Sequence, residues 1–198
     1  MARFLFCLVA AAVWLSPGGA LAHTGLGDTS GLTHGFMHPV SGIDHILAMI
    51  AVGVFAFQLG GRALWLVPAT FVLVMAVGGA LGMAGIAMPY VETGIALSVI
   101  VLGAIIALGI KAPVAIAMGI VGLFAIFHGH AHGAEMPADA AGAEYAIGFM
   151  LATAVLHVAG IALGFLVGWI GERYSQTIVR VGGALVSLAG VGILTGYI

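Results

Sequence analysis
The chain has 198 residues, of which 63% are hydrophobic and 6% charged, where an ordinary soluble domain carries about 25% charged. So few charges cannot solvate a globular surface of this size, which points to a bilayer as the solvent. The formal net charge of −2 offers no basis for nucleic-acid binding or a polybasic membrane anchor.

The N-terminal segment has the form of a secretory signal. Arg3 supplies a positive start, Phe4 to Leu15 form a short apolar core, and Pro17-Gly18 break the helix before the Ala20-Leu21-Ala22 cleavage pattern. Residues 1–22 are therefore expected to be removed, leaving 23–198 as one membrane domain. The single cysteine, Cys7, lies in the removed part, so the mature chain would have neither a disulfide nor a thiolate ligand.

A polar, Gly-rich stretch from His23 to Gly35 comes next, and then six apolar runs at about 39–59, 63–84, 90–109, 112–131, 145–170 and 178–197. Most approach or exceed the roughly 20 residues that a helix needs to cross a bilayer. Open strands in lipid would leave backbone groups unpaired, and period-2 alternation is absent, so helix is the expected form. The expected fold is an all-α membrane protein, a bundle of six transmembrane helices. The mature basic residues Arg62, Lys111, Arg173 and Arg180 fall in or beside the loops after the first, third and fifth runs. By the positive-inside rule those loops are cytoplasmic and both mature termini lie outside, N-out/C-out, in agreement with a cleaved signal. This places the chain in the bacterial inner membrane as a multi-pass protein. The 32 glycines include four-residue spacings such as Gly78/Gly82 and Gly160/Gly164/Gly168, which let helices approach closely in lipid.

Eight histidines outnumber the five lysines and arginines together. The first run opens with "HPVSGIDH", in which His38 and His45 are seven residues apart and would share a helical face, with Asp44 beside them. Glu92 opens the third run. The fourth ends in "FHGHAHGAE", which puts His128, His132 and Glu135 on one face and His130 elsewhere. His157 lies about 18 Å down the fifth run, on a stripe with Gly160 and Gly164. On the expected topology these groups gather at one end of the bundle. Ionisable groups in a bilayer are costly unless paired or hydrated, and a divalent cation would draw carboxylates and neutral imidazoles together. Imidazole suits nickel, copper, zinc and iron, and with thiolate absent Cu(I) is disfavoured. The metal candidates are thus His38, Asp44, His45, Glu92, His128, His132 and Glu135, with His157 and His130 as further stations on a transport path. The bland alternatives are helix capping plus an interhelical hydrogen bond for His38, Asp44 and His45, the helix dipole for Glu92, a hydrated interfacial loop for His128 and His132, a loop position for His130, simple solvation for Glu135, and an interhelical hydrogen bond for His157. His23, at the mature N-terminus, could chelate an ion through its amine and ring. The nine methionines read as core filler.

Those two stretches also resemble a known family. His38 to His45 match the pattern H-P-x-x-G-x-D-H, and Phe127 to Glu135 match F-H-G-x-A-H-G-x-E, with His130 in a variable slot. Both patterns are similar to those of the HupE/UreJ family of nickel and cobalt permeases, which are associated with hydrogenase and urease maturation. The resemblance covers nearly the whole chain. It implies that His38, Asp44, His45, His128, His132 and Glu135 handle metal. Glu92 and His157 rest on placement alone.

The expectation is a secondary transporter or facilitator that takes up Ni²⁺, with Co²⁺ also open and zinc not set aside, and has no resident cofactor. Its partners would be the metal ion and the lipid bilayer, with a functional link to nickel-enzyme maturation; the sequence leaves oligomeric state undetermined. No Walker A pattern is present. The rival classes are an intramembrane metal-dependent enzyme, which would want a closed ligand shell with a base nearby, a haem protein with paired axial histidines, and a metal sensor or chaperone that binds without translocation.

Overall fold
The computed structural model describes residues 31–136 and 142–198, with the backbone alone at 172 and 173. The signal segment and His23 lie outside the described residues. The described chain is helical, and there is no strand among the described residues. Seven helices follow in order: α1 (Gly31–Met37), α2 (Ile43–Leu59), α3 (Ala63–Met83), α4 (Val91–Leu108), α5 (Val114–Ala134), α6 (Gly142–Gly168) and α7 (Glu172–Thr195). Five of them, α3 to α7, are long and apolar enough to cross a membrane. Helix α2 is apolar but shorter, at 17 residues. The chain is a multi-pass membrane protein whose apolar helix faces meet lipid. Exposed residues on α3, α6 and α7 include Leu73, Val77, Val158, Leu166, Leu185 and Leu188, which suits a hydrocarbon solvent and not water.

Helix ends follow local chemistry. Gly60 and Gly109 take positive φ at the ends of α2 and α4, a conformation that L side chains rarely adopt. Pro113 caps α5 from an extended conformation. The first apolar run departs from its expected form. It does not start a helix at His38; residues 38–42 form a turn between α1 and α2. There the Ser41 backbone N–H and hydroxyl both donate to the His38 carbonyl, at 3.1 and 2.6 Å. Gly42 is extended, with φ −94° and ψ 123°, and α2 begins after it. Pro39 has no N–H to extend α1, so the chain turns where the apolar run looked continuous. His38 and His45 therefore do not share a helix.

Glycine decides which helices pair. A Cβ at Gly129 would lie 2.0 Å from the Met75 carbonyl oxygen, and one at Gly133 would lie 2.1 Å from the Gly79 carbonyl oxygen, so α5 touches α3 backbone to backbone. Gly53 and Gly160 join α2 to α6 in the same way, and Gly103, Gly183 and Gly190 join α4 to α7. Residue order along these seams makes α3 parallel to α5 and α2 parallel to α6, while α4 runs against α7. Each of these helices packs most extensively on its pair partner, closely in α3·α5 and α4·α7 and less exclusively in α2·α6, which also packs on α3 and α4. Small α1 lies along the start of α6, with Gly35 against the Tyr145 backbone and Gly148 against that of Leu32. The core that the pairs enclose is built from Met49, Val52, Phe55, Phe71, Met75, Val99, Leu102 and Val121.

Candidate metal centre
Six polar side chains are buried among the described residues: His45, Ser98, His128, His130, Thr153 and His157. Buried polar groups are costly unless partnered, so each needs an account. His45 lies in the first turn of α2. His128 and His132 stand one turn apart near the end of α5, on a common face. Their ring nitrogens converge. His45 Nδ1 lies 3.2 Å from His128 Nδ1 and 3.1 Å from His132 Nε2. These three residues form one group able to hold a metal ion. Two nitrogens bonded to one ion at about 2.1 Å, at angles between 90° and the tetrahedral value, stand about 3.0–3.4 Å apart, so the observed spacings suit shared ligation.

A second group lies outward of the first and shares His132. His38, from the turn before α2, has its Nε2 3.2 Å from Glu135 Oε2 at the end of α5. The same carboxylate oxygen is 3.6 Å from His132 Nδ1. His132 thus turns one nitrogen to the outer group and the other to the inner group. Burial, then the neighbouring His132 ring, pushes the His38 imidazole below its ordinary 6.5, so it stays neutral and able to ligate. The His132 and His38 imidazoles hold the Glu135 carboxyl below its ordinary range, so it stays ionised. Glu135 is more than half exposed. The outer group therefore carries the carboxylate and the exposure to solvent, while the inner group is built of imidazoles alone and lies deeper.

The other candidates fall as follows. The Asp44 carboxylate accepts the His45 backbone N–H at 2.7 Å, in the first turn of its own helix, and stands outside both groups. Glu92 is exposed in the first turn of α4 and also outside both. His130 faces away and donates from Nε2 to the Ile86 carbonyl at 2.7 Å, which ties α5 to the loop after α3. His157 is one turn deeper on α6 than Thr153; neither of its nitrogens has a partner, and its ring packs edge-on to Phe71.

Residues outside the two sequence patterns complete the centre. Ser98 Oγ is 2.8 Å from His128 Nε2, and Thr153 Oγ1 is 3.4 Å from His45 Nε2. Phe149 packs against His45, His132 and His38, with ring centroids at 5.2, 4.6 and 6.5 Å, and serves as an apolar wall that keeps the rings in place. His34 on α1 stacks near His38 at 6.3 Å and near Tyr145 at 5.9 Å. The i, i+4 spacings of His34 with His38 and of Tyr145 with Phe149 were available in the sequence as signals for these residues. A cleft lined by Met75, Gly79, Gly133, Tyr145, Phe149 and Met150 reaches the His132 ring.

Fold and centre together define a class: a multi-pass helical membrane protein with a buried cluster of imidazoles. The sequence model of the HupE / UreJ protein family matches residues 11–193. The chain is 50% identical over 180 residues to "Protein HupE" of Rhizobium leguminosarum bv. viciae, covering 91% of this chain and 92% of that protein. No solved structure matches the chain. The chain belongs to the HupE/UreJ family. Members of this family are permeases of the transporter type, not enzymes, and the family is associated with nickel and cobalt uptake.

Proposed function
We propose that the protein takes up a divalent transition metal, Ni²⁺ with Co²⁺ as the second candidate, from the periplasm to the cytoplasm. The observation that carries this reading is the convergence of the His45, His128 and His132 nitrogens, joined through His132 to the outer group of His38 and Glu135. A hydrated dication meets the exposed carboxylate first and exchanges water for His38 and His132. It then passes to the three inner imidazoles. Asp44, at the start of α2, supplies negative charge close to the ion, and Glu92 adds to the negative field at the same end. His157, with both nitrogens free, takes the ion one turn deeper. His130 stands beside the route, next to the mouth.

A neutral three-nitrogen site suits passage and not storage. Conduction needs binding strong enough to replace water yet weak enough to release. An inside-negative potential favours entry by about 2.3 kcal/mol per charge per 100 mV, or about twice that for a dication, so facilitated diffusion needs no further energy source.

In this reading α2 to α7 are six spans, residues 1–22 are a cleaved signal, both termini are periplasmic, and the membrane is the inner one. The helix directions support the alternation: α2, α4 and α6 begin at the end where α3 and α5 finish. That end holds the histidines, and Arg62 and Lys111 lie at the other. The test is initial-rate uptake of radioactive nickel into proteoliposomes, wild type beside His132→Ala, with cobalt and zinc as competitors. Equal rates in the two proteins, or no flux in wild type, would overturn the proposal.

A further inference from the structure
Three converging imidazoles make a cation site only if each turns a lone pair inward. The tautomer of each ring therefore matters, and it is set by the atom behind the ring. Behind His128 stands Ser98. Its Oγ lies 2.6 Å from the Ile95 carbonyl oxygen and 2.8 Å from His128 Nε2. A hydroxyl has one hydrogen, and two oxygens 2.6 Å apart repel unless that hydrogen lies between them. The Ser98 hydroxyl therefore donates to Ile95, and its oxygen can only accept from His128. That puts the His128 hydrogen on Nε2 and leaves the Nδ1 lone pair facing His45.

Behind His45 stands Thr153. Its Oγ1 is 3.4 Å from His45 Nε2 and donates to Met75 Sδ at 3.7 Å. The sulfur takes the hydroxyl hydrogen, so the oxygen is open to a hydrogen on His45 Nε2, and His45 Nδ1 is free for an ion. Behind His132 stands Glu135, whose anion, with the ion in the inner group, favours a hydrogen on His132 Nδ1 and a lone pair on Nε2; an ion in the outer group uses the Nδ1 lone pair instead, so His132 exchanges tautomers as the ion moves inward.

We propose that Ser98 and Thr153 are positioning residues that hold His128 and His45 in the Nε2–H form, so that both Nδ1 lone pairs face the ion. This rests on the metal-carrying reading above. It also grades the route. A carboxylate behind a ligating imidazole raises the imidazole's donor strength, and neutral hydroxyls raise it less. The carboxylate backs His132, at the entrance, and hydroxyls back the two inner rings, from which the ion must leave. Ordinary back-bonding of Ser98 to its own helix explains the 2.6 Å contact but not the second one, to His128.

The experiment uses the full chain purified in detergent. In metal-free protein with ¹⁵N-labelled histidine, ring shifts report the tautomer, and His128 is assigned by loss of its signals in His128→Gln. Wild type should show His128 as Nε2–H alone, and Ser98→Ala should show a mixture. Titration calorimetry with NiCl₂ should show affinity lowered by about 10–100-fold in Ser98→Ala and Thr153→Val. Thr153→Ser, which keeps the hydroxyl, should stay within about twofold of wild type, a rescue that a purely structural role for the side chain would not give. A wild-type His128 protonated on Nδ1, wild-type nickel affinity in both Ser98→Ala and Thr153→Val, or a Thr153→Ser as weak as Thr153→Val would overturn the proposal. A wild-type protein that bound no nickel would instead sink the functional reading, and the tautomer spectrum would still decide this one.

Discussion

Gly129→Ala tests whether the α3·α5 seam sets the metal centre. Gly129 follows His128 directly and precedes His132 by three residues. An added Cβ would stand 2.0 Å from the Met75 carbonyl oxygen, where ordinary contact begins at 3.4 Å, a shortfall of 1.4 Å (3.4 − 2.0). The nearby atoms are backbone, Met75 O and C and Gly79 N, so no flexible side chain can yield. Helix α5 must back away from α3, carrying His128 and His132 with it. Their nitrogens now lie 3.2 and 3.1 Å from His45 Nδ1. Metal–nitrogen bonds of about 2.1 Å tolerate about 0.2 Å of error, so a displacement on the order of 1 Å detaches at least one ligand. The expected result is a nickel affinity reduced by about 10–100-fold, in the range of lost ligand support, with a stability loss of about 1–3 kcal/mol from overpacking. Gly119→Ala is the control, since it lies on the same helix with nothing within 4 Å of its Cβ. Nickel calorimetry and thermal unfolding in detergent read both proteins. If Gly129→Ala bound nickel as tightly as Gly119→Ala, the seam would not be what places the imidazoles.

Three further outcomes are expected. His132→Ala strikes both groups and should cut nickel uptake by at least on the order of 100-fold, whereas His38→Ala strikes the outer group alone and should cut it on the order of tenfold; equal losses in liposome flux would deny the two-stage route. Asp44→Ala should lower the initial rate, and Asp44→Asn, which retains the acceptor for the His45 N–H but not the charge, should fall equally if charge is the contribution; an unchanged rate in both would remove Asp44 from the mechanism. Uptake should fall as external pH drops through about 6, because a protonated imidazole cannot ligate. His38 is pushed below its ordinary 6.5 and Glu135 is held below its ordinary range, so loss on acidification should begin with histidine protonation and under pH 6.5, Glu135 remaining ionised well after. A flat profile from pH 7.5 to 5 would argue against histidine ligation.

Much of the helix plan was legible because lipid demands long apolar runs. The run expected at 63–84 is α3 at Ala63–Met83, and that expected at 90–109 is α4 at Val91–Leu108. The first run misled because composition does not register a turn. Pro39 suits the first turn of a helix, yet residues 38–42 form a turn and α2 begins only after Gly42. Spacing placed His128, His132 and Glu135 on one face, since a single helix fixes that geometry. It did not reveal that His38 joins Glu135 from a turn 97 residues earlier in sequence. Depth arguments gave each group's level along the bundle and nothing of its angle around it. Glu92 and Asp44 share the level of the cluster but point outside both groups. Ser98 and Thr153 carried no signal in the sequence, because their roles exist only once α4 and α6 stand against the rings.

The three glycine-seamed pairs have a mechanical consequence. His45 rides on α2·α6, His128 and His132 on α3·α5, and Ser98 on α4·α7. Each pair is seamed by glycine, and α2·α6 packs on both of the others. A cation seated among those nitrogens would rivet two of these rods together, with the third braced on it through a hydroxyl. Its arrival and departure would lock and unlock whole rods without bending any helix.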